Sequence, residues 1–333
     1  MKVSIIGFGY WGINLVRNVA HHKFFEIVNV CDIDVSRLDL LKKHHPWINA
    51  SVNTEEVLSE PNTECIIIAT PPHTHFNLAE KSLKNGKHVL VEKPLCLEIK
   101  QAEYLQELAD EKGLCLMTDL TFLYNGAVRK IKQIIERDNL GTIQYIDSTR
   151  INLGLFQNDI NVLWDLATHD LSIINYIIES RPISVSAHGV SHLKDGVENI
   201  AYLIIKYPND LIVHIHSSWS SPVKIRQMLI GGDKKMLIYN DIEPTEKIKV
   251  YDSGFVISNA EKDEILVDYR IGDMYVPKYD TTEALKLVIN DFYNSAVTGA
   301  KPLASTDSVI AIMKILFAAQ ESMINKGIEI FID

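Results

Sequence analysis

Short apolar runs alternate with amphipathic segments through the first third of the chain. The runs have the length of strands and lie at residues 3–6, 26–31, 64–69, 88–91 and 114–118. Between them, apolar residues recur every three or four positions, which is typical of helices that bury one face. Strands and helices repeating in this order predict a doubly wound parallel sheet with right-handed crossovers and helices on both faces.

The pattern changes after about residue 120. Helical segments at 126–137 and 162–178 precede a cluster of strand-like runs between residues 185 and 257, and two helical segments close the chain. Strands that follow one another without alternating helices favour an antiparallel sheet in an α+β domain. We therefore predict two domains, one at 1–120 and one at 121–333.

Composition narrows the classes of function. A chain of 333 residues suits two domains, and its net charge of −10 weighs against a nucleic-acid partner. The apolar runs are too short for a membrane span, and no signal peptide is recognisable after Lys2, so we expect a cytoplasmic protein. The four cysteines lack CxxC spacing and are interpreted as reduced core thiols.

The first apolar run ends in a glycine-rich turn, Gly7-Phe8-Gly9-Tyr10-Trp11-Gly12. Gly7 permits a tight turn, Gly9 lets the backbone approach a pyrophosphate, and Gly12 lets helix and strand pack closely. Asp32 ends the second strand, 20 residues after Gly12, where a carboxylate can bind an adenosine ribose. The alternative is a glycine turn in a flavodoxin-like domain without a nucleotide.

Lys93 lies at a further strand end, between Glu92 and Pro94. Ligands of doubly wound sheets bind at the carboxyl ends of the strands, so the loops at 7–12, 70–75 and 92–94 are candidate site loops. A lysine that is partly desolvated or beside a cationic ring can share a substrate proton. The alternative is a surface lysine in a solvated turn.

Asp165 and His169 are four residues apart in the predicted helix 162–178 and share one face. A carboxylate one turn from an imidazole can fix its tautomer and raise its basicity, as acid/base catalysis requires. A helix-surface ion pair and metal ligation remain as alternatives. His73 and His75 are expected on the loop after the strand at 64–69, where they would pack on a cofactor; metal binding is the alternative.

Four polar residues surround the loop before this helix. They could bind a polyhydroxylated substrate, or they could satisfy backbone groups of the loop. These residues are Arg150, Asn152, Asp159 and Asn161.

With these motifs the chain resembles the glucose-fructose oxidoreductase and inositol dehydrogenase family, Gfo/Idh/MocA. The resemblance extends over essentially the whole chain. It includes the glycine turn, Ala69-Thr70-Pro71-Pro72 with His75, Glu92-Lys93-Pro94-Leu95 and the Asp165/His169 pair. It implies a Rossmann domain followed by a domain with a large open, mostly antiparallel sheet that binds substrate and often forms oligomer contacts, as a dimer or tetramer. Gly126 and Ala284 depart from the pattern of the family.

The resemblance also implies roles for individual residues. Lys93 binds substrate and shares a proton, His169 is the acid/base, and Asp165 supports it. The implied cofactor contacts are Gly7, Phe8, Gly9, Tyr10, Trp11, Gly12, Asp32, Ile33, Arg37, Thr70, Pro71, His75, Glu92, Lys93 and Trp164. The implied substrate contacts are Lys93, Tyr124, Asn125, Arg150, Asn152, Asp165 and His169. No metal is implied.

We therefore expect an NAD(P)-dependent oxidoreductase that transfers a hydride between nicotinamide and a secondary alcohol of a sugar. The segments at 10–18 and 161–170 look most like the branch of the family that acts at C3 of nucleotide-linked sugars. Asp32 would repel a 2′-phosphate and favours NAD, whereas Arg37 keeps NADP open. The alternatives are a free-sugar or polyol dehydrogenase and a dinucleotide-binding regulator without turnover.

Overall fold

The computed structural model describes residues 1–154, 156, 160–192, 197–259 and 265–332, with the backbone alone at 256–259 and 265–268. The chain divides into two compact units. The first contains Met1–Tyr124 and Thr282–Ala311, and the second contains Asn125–Thr281 and Ile312–Asp333.

The first unit is built on a parallel sheet of six strands. Their order across the sheet is β3-β2-β1-β4-β5-β6, the arrangement of a dinucleotide-binding Rossmann sheet. The central strands are buried on both faces, which explains their unbroken apolar sequences. The strands are β1 (Lys2–Ile6), β2 (Glu26–Cys31), β3 (Asn49–Ser51), β4 (Cys65–Ile68), β5 (His88–Glu92) and β6 (Leu116–Asp119).

Helices connect these strands in the predicted alternation, and the predicted fold class is confirmed. The helices are α1 (Tyr10–Ala20), α2 (Val35–His44), α3 (Thr54–Ser59), α4 (Pro72–Lys84) and α5 (Ile99–Lys112), followed by a 3₁₀ turn at Thr121–Tyr124.

Two details of this unit differ from the sequence prediction. Helix α4 begins at Pro72, so His73 and His75 lie in its first turns and the prediction that they lie on a loop is wrong. Proline suits the first helical position because its missing N–H would have no partner inside the helix. The three-residue edge strand β3 was not predicted, since it is too short to show a periodicity.

Residues 282–311 cluster with the first unit, although the sequence analysis placed them in the second domain. They contain helix α8 (Ala284–Thr298), which packs against α1. Arg17 of α1 donates two hydrogen bonds to the carboxylate of Glu283, and the rings of Phe25 and Phe292 stack 6.1 Å apart.

The second unit is built on a sheet of nine strands in the order β14-β13-β12-β11-β7-β10-β9-β8-β15. All neighbours are antiparallel except β7 and β10, as expected for the mostly antiparallel sheet. The sequence analysis missed β14 and β15. The strands are β7 (Ile143–Leu153), β8 (Ser184–Val190), β9 (Ile200–Lys206), β10 (Ile212–Ser218), β11 (Ser220–Gly232), β12 (Met236–Asn240), β13 (Ile248–Asn259), β14 (Ile265–Tyr275) and β15 (Ile330–Phe331).

The helices of the second unit include α6 (Gly126–Glu136), α7 (Thr168–Ile177) and the larger part of α9 (Thr306–Ile324). The predicted single helix at 162–178 is instead a π-helical turn, Leu163–Ala167, that continues into α7. Such turns place one extra residue in the helix and are frequent at functional sites. Among the described residues, no helix is long and apolar enough to cross a bilayer.

A buried ion pair joins the sheet of the second unit to α7. Arg150 of β7 donates from Nε to Asp170 Oδ2 at 2.8 Å and from Nη2 to Asp170 Oδ1 at 2.9 Å. The Arg150 side chain is only 2% exposed and that of Asp170 only 4%. Removing one member of such a pair leaves a buried charge without its counter-charge, which is costly.

We predict that Asp170→Ala lowers the free energy of unfolding by about 3–5 kcal/mol, measured by urea denaturation. The matched control is Asp147→Ala on β7, because Asp147 is 49% exposed where it pairs with His214. That control should cost less than about 1 kcal/mol. Equal losses for the two variants would contradict a structural role for the buried pair.

Candidate active site

The glycine turn forms a cradle made of backbone alone. Gly7 has a φ of +98°, and a Cβ on it would overlap the carbonyl of Ala69 at the end of β4. A Cβ on Gly12 would overlap the carbonyl oxygen of Gly7. Gly9 is the N-cap of α1 and has no side chain to cap the helix, which leaves the first N–H groups directed at a phosphate site.

Asp32 is held rigidly beside this cradle. Its Oδ2 accepts a hydrogen bond from the Phe8 N–H at 2.7 Å, and its Oδ1 accepts one from the Asp34 N–H at 2.9 Å. The Arg37 Nη1 lies 3.4 Å from Asp32 Oδ2 and 3.2 Å from the position of a Cβ on Gly9. Since the Arg37 side chain is half exposed, it can move aside or lie against a bound dinucleotide.

A cleft of about 570 Å³ opens between the ends of β1, β2 and β4. Its lining includes Gly7, Asp32, Ile33, Thr70 and Pro71, all predicted cofactor contacts. A side-chain-free cradle, an adjoining cleft and a fixed carboxylate match the three parts of an NAD site: pyrophosphate, adenosine and ribose. The residues of this unit therefore fit the dinucleotide. Tyr10 and Trp11 lie on the exposed side of the turn.

His75 is buried between two strand ends and does not face the cleft. Its Nδ1 lies 2.7 Å from the Pro94 carbonyl oxygen and its Nε2 lies 2.7 Å from that of Thr70. Burial lowers the pKa of the imidazole, while the two carbonyl acceptors act in the opposite direction. His75 thus ties the end of β4 to the segment after β5, and its role at the cofactor is indirect.

Lys93 follows β5 directly, is half-buried and precedes Pro94 through a cis peptide bond. Beside it, Glu92 lies opposite Asp119 on the neighbouring strand β6. Both carboxyls are buried, and Thr121 Oγ1 donates to Asp119 Oδ1 at 2.7 Å. Burial and the neighbouring Asp119 charge raise the pKa of Glu92, and burial raises that of Asp119 to about 6.

In the second unit, Asp165 is positioned by a residue that the sequence analysis did not identify. The indole Nε1 of Trp219, just after β10, donates to Asp165 Oδ2 at 3.0 Å. Trp219 is 1% exposed and therefore cannot be displaced easily. Asn161 Oδ1 accepts from the Leu163 and Trp164 N–H groups, so it caps the π-helical turn. Asp165 and His169 are both half-buried.

Trp164 lies within the second unit, although we expected it to contact the cofactor. Its side chain is 6% exposed, and its ring packs edge-on against Phe317 at 5.1 Å. The indole Nε1 lies 3.4 Å from Gln320 Oε1. These contacts assign it to the packing of α9 and leave little surface for a cofactor.

Three further expected substrate contacts are already engaged in the structure. Arg150 is buried with Asp170, so its guanidinium serves the fold. Tyr124 is 1% exposed and donates to Asp291 Oδ2 at 2.6 Å within the first unit. Asn125 caps α6 by accepting from the Ala127 N–H at 2.9 Å. The sequence shows the residue types but not these contacts within the protein. The structure therefore does not support a substrate contact by these three residues.

Asn152, at the end of β7, is half-buried and remains a candidate substrate contact. Asp159 lies outside the described residues. Within the described part of the chain, no group of three or more histidine, cysteine or acidic side chains is arranged to hold a metal ion.

Two family models match successive regions of the chain. A model described as an oxidoreductase family with an NAD-binding Rossmann fold matches residues 1–120. A model of the GFO/IDH/MocA C-terminal domain matches residues 128–238. The two matched regions include the glycine turn, Lys93, Asp165 and His169.

Individual relatives are distant. UDP-N-acetylglucosamine 3-dehydrogenase of Acidithiobacillus ferrooxidans is 28% identical over 60% of this chain and 61% of its own. NAD-dependent scyllo-inositol 2-dehydrogenase of Bacillus subtilis is 26% identical over 72% of this chain and 73% of its own length. Two other oxidoreductases align over only 39% and 57% of their own length.

Solved structures share the fold over nearly the full chain. The structure of the Acidithiobacillus enzyme, GnnA, has a TM-score of 0.78 at 22% identity and covers 97% of this chain and 99% of its own. The structure of GenD2 from gentamicin A biosynthesis in complex with NAD has a TM-score of 0.83 at 19% identity. The alignment covers 100% of this chain and 96% of GenD2.

We predict that Asp32→Asn weakens NADH binding roughly tenfold or more, because a charge-assisted hydrogen bond to the ribose is lost. The same change should improve NADPH binding relative to NADH, since the repulsion of a 2′-phosphate is removed. Fluorescence titration with each reduced cofactor measures both effects. Asp39→Asn, at an exposed site on α2, is the control and should change neither affinity. An unaltered preference in Asp32→Asn would exclude this carboxylate from the cofactor site.

Proposed function

Because the chain belongs to the GFO/IDH/MocA oxidoreductase family and binds NAD through its first domain, we propose that its substrate is a sugar. The reaction is the reversible oxidation of a secondary alcohol to a ketone, at C3 of a nucleotide-linked sugar. One alcohol and NAD⁺ give one ketone, NADH and one proton. The nicotinamide supplies the hydride chemistry, which no protein side chain can provide.

In this proposal, His169 accepts the hydroxyl proton during oxidation and returns it during reduction. Asp165 orients the site, and its carboxylate is itself fixed by the buried Trp219 indole. Lys93 binds the substrate oxygen and stabilises the negative charge that develops on it. Its position directly after β5, two strands from the glycine cradle in the sheet, is the observation that supports this role most.

The nucleotide-linked sugar is supported by the segment at 161–170 and by the similarity to an enzyme named UDP-N-acetylglucosamine 3-dehydrogenase. A polyol is the second candidate, because a similar level of identity links the chain to an inositol dehydrogenase. A regulator without turnover is a third, and it is disfavoured because Lys93, Asp165 and His169 occur together.

We also propose that the chain self-associates through the sheet of its second unit. Tyr202, Ile204 and Ile212 on neighbouring strands β9 and β10 expose more than two fifths of their surface each. Large apolar side chains grouped in this way are typical of interaction surfaces. A monomer in sedimentation velocity experiments would contradict this part of the proposal.

The function is tested by incubating the protein and NAD⁺ with UDP-N-acetylglucosamine, other UDP- and dTDP-sugars, inositols and glucose, and following NADH absorbance. We expect turnover of a nucleotide sugar, with the ketone located at C3 by reduction with borodeuteride and mass spectrometry. Turnover of inositol alone would favour the polyol. NADH binding without turnover of any compound would favour the regulator.

We predict that His169→Asn lowers kcat about 10²–10⁴-fold, as expected for the loss of a general acid/base. His216→Asn, at a half-buried histidine on β10, is the matched control and should retain activity. Comparable losses in both variants would show that the effect is not specific to His169.

A further inference from the structure

We propose that Asp119, through a proton shared with Glu92, is a positioning residue that sets the negative charge beside Lys93. This inference rests on the proposed function, because Lys93 is the residue through which Asp119 would act. Asp119 is not part of any motif that the sequence analysis identified.

The sheet register places the two carboxyls together. Strands β5 and β6 are parallel neighbours, and Glu92 and Asp119 are opposite each other in the final pair of the ladder. Both side chains therefore lie at the carboxyl edge of the sheet, next to Lys93. Glu92 is 9% exposed and Asp119 is 2% exposed, so water cannot separate their charges.

A shared proton explains how two acids coexist here. Glu92 Oε1 and Asp119 Oδ2 are buried and have no hydrogen-bond partner among the described residues. Two ionised carboxylates at this spacing would repel each other strongly in a site of low dielectric constant. A proton on one carboxyl removes that repulsion and provides a donor for the other. The pair then has one negative charge at neutral pH.

Lys93 is the cation that interacts with the negative charge of the pair. The ammonium of Lys93 lowers the pKa of both carboxyls, so it is the cation that faces them. From the 3₁₀ turn, the Thr121 hydroxyl donates to Asp119. Beyond it, Tyr124 donates to Asp291 of α8, and that carboxylate already has a second donor, the Leu303 N–H.

The consequence for the reaction concerns the proton on Lys93. To stabilise the charge that develops on the substrate oxygen, Lys93 must remain an ammonium when a cationic nicotinamide ring lies nearby. A singly ionised pair attracts the ammonium of Lys93, whereas a neutral pair does not. Since burial raises the pKa of Asp119 to about 6, the pair takes up its second proton below about pH 6 and loses the charge.

The direct test measures the reactivity of the Lys93 amine, which requires no substrate. Wild type and Asp119→Asn are treated with acetic anhydride at pH 8, and the acetylation rate of the peptide containing Lys93 is measured by mass spectrometry relative to that containing the exposed Lys43. We expect Lys93 to react roughly tenfold faster in Asp119→Asn, because only the unprotonated amine reacts and the Asp119 charge is gone, while burial keeps the remaining acid, Glu92, protonated. Equal rates in the two proteins would overturn the proposal.

A kinetic measurement then connects the pair to catalysis. At pH 8, Asp119→Asn should have a kcat lowered about tenfold with an unchanged affinity for NADH, as expected if a charge beside Lys93 is lost. Asp291→Asn is the matched control, since it alters a carboxylate of the same unit outside the pair, and it should keep the wild-type pH profile. If wild type turns over no sugar, the proposed function fails, but the labelling experiment still decides the role of Asp119.

Folding does not confound these tests. Asp119→Asn removes a buried charge and keeps the shape of the side chain. The variant should therefore unfold at an equal or higher temperature than wild type at pH 8. The difference should disappear below about pH 4, where Asp119 of the wild type is protonated in both the folded and the unfolded state. Infrared spectroscopy gives an independent check on the wild-type protein. A protonated carboxyl band at pH 7 that is lost in Glu92→Gln supports the shared proton, and its absence from wild type would contradict it.

Discussion

The closeness of three backbone segments around Gly7 is the constraint on which the first unit depends. The carbonyls of Gly7 and Ala69 occupy the space that side chains on Gly12 and Gly7 would need. Strand β1, the end of β4 and the first turn of α1 can therefore meet only if the turn consists of glycine at these positions. The same closeness leaves a surface of N–H groups for phosphate. The strand order places the ends of β1, β4 and β5 next to one another along one edge of the sheet.

Buried acidic side chains occur in three different environments, and each environment suits a different role of the side chain. Asp32 accepts from two backbone N–H groups and keeps its charge in a fixed direction toward the cofactor cleft. Asp170 pairs with Arg150 and holds α7 on the sheet. Asp119 has a second carboxyl, Glu92, as its neighbour, and burial raises the pKa of Asp119 to about 6.

Much of the fold was predictable because local periodicity determines it. Strand β2 has the predicted bounds, and the alternation of strands and helices correctly indicated the parallel sheet. The glycine turn and the other motifs correctly indicated the NAD-binding domain and the family. Features that depend on contacts distant in sequence were not predictable. Trp219 reaches Asp165 across 54 residues, and Asp119 meets Glu92 only through the strand register. The sequence also does not show the π-helical turn or the nearly complete burial of Arg150 and Tyr124.

The central claim is that Lys93 and His169 act on the same substrate oxygen, and a double-mutant cycle tests it most directly. The value of kcat/KM is measured for wild type, Lys93→Ala, His169→Ala and the double variant with the nucleotide sugar that is turned over best. If both residues serve one proton-transfer step, the double variant should lose little more activity than the worse single variant. Losses that multiply would mean that the two residues act independently and would contradict the account.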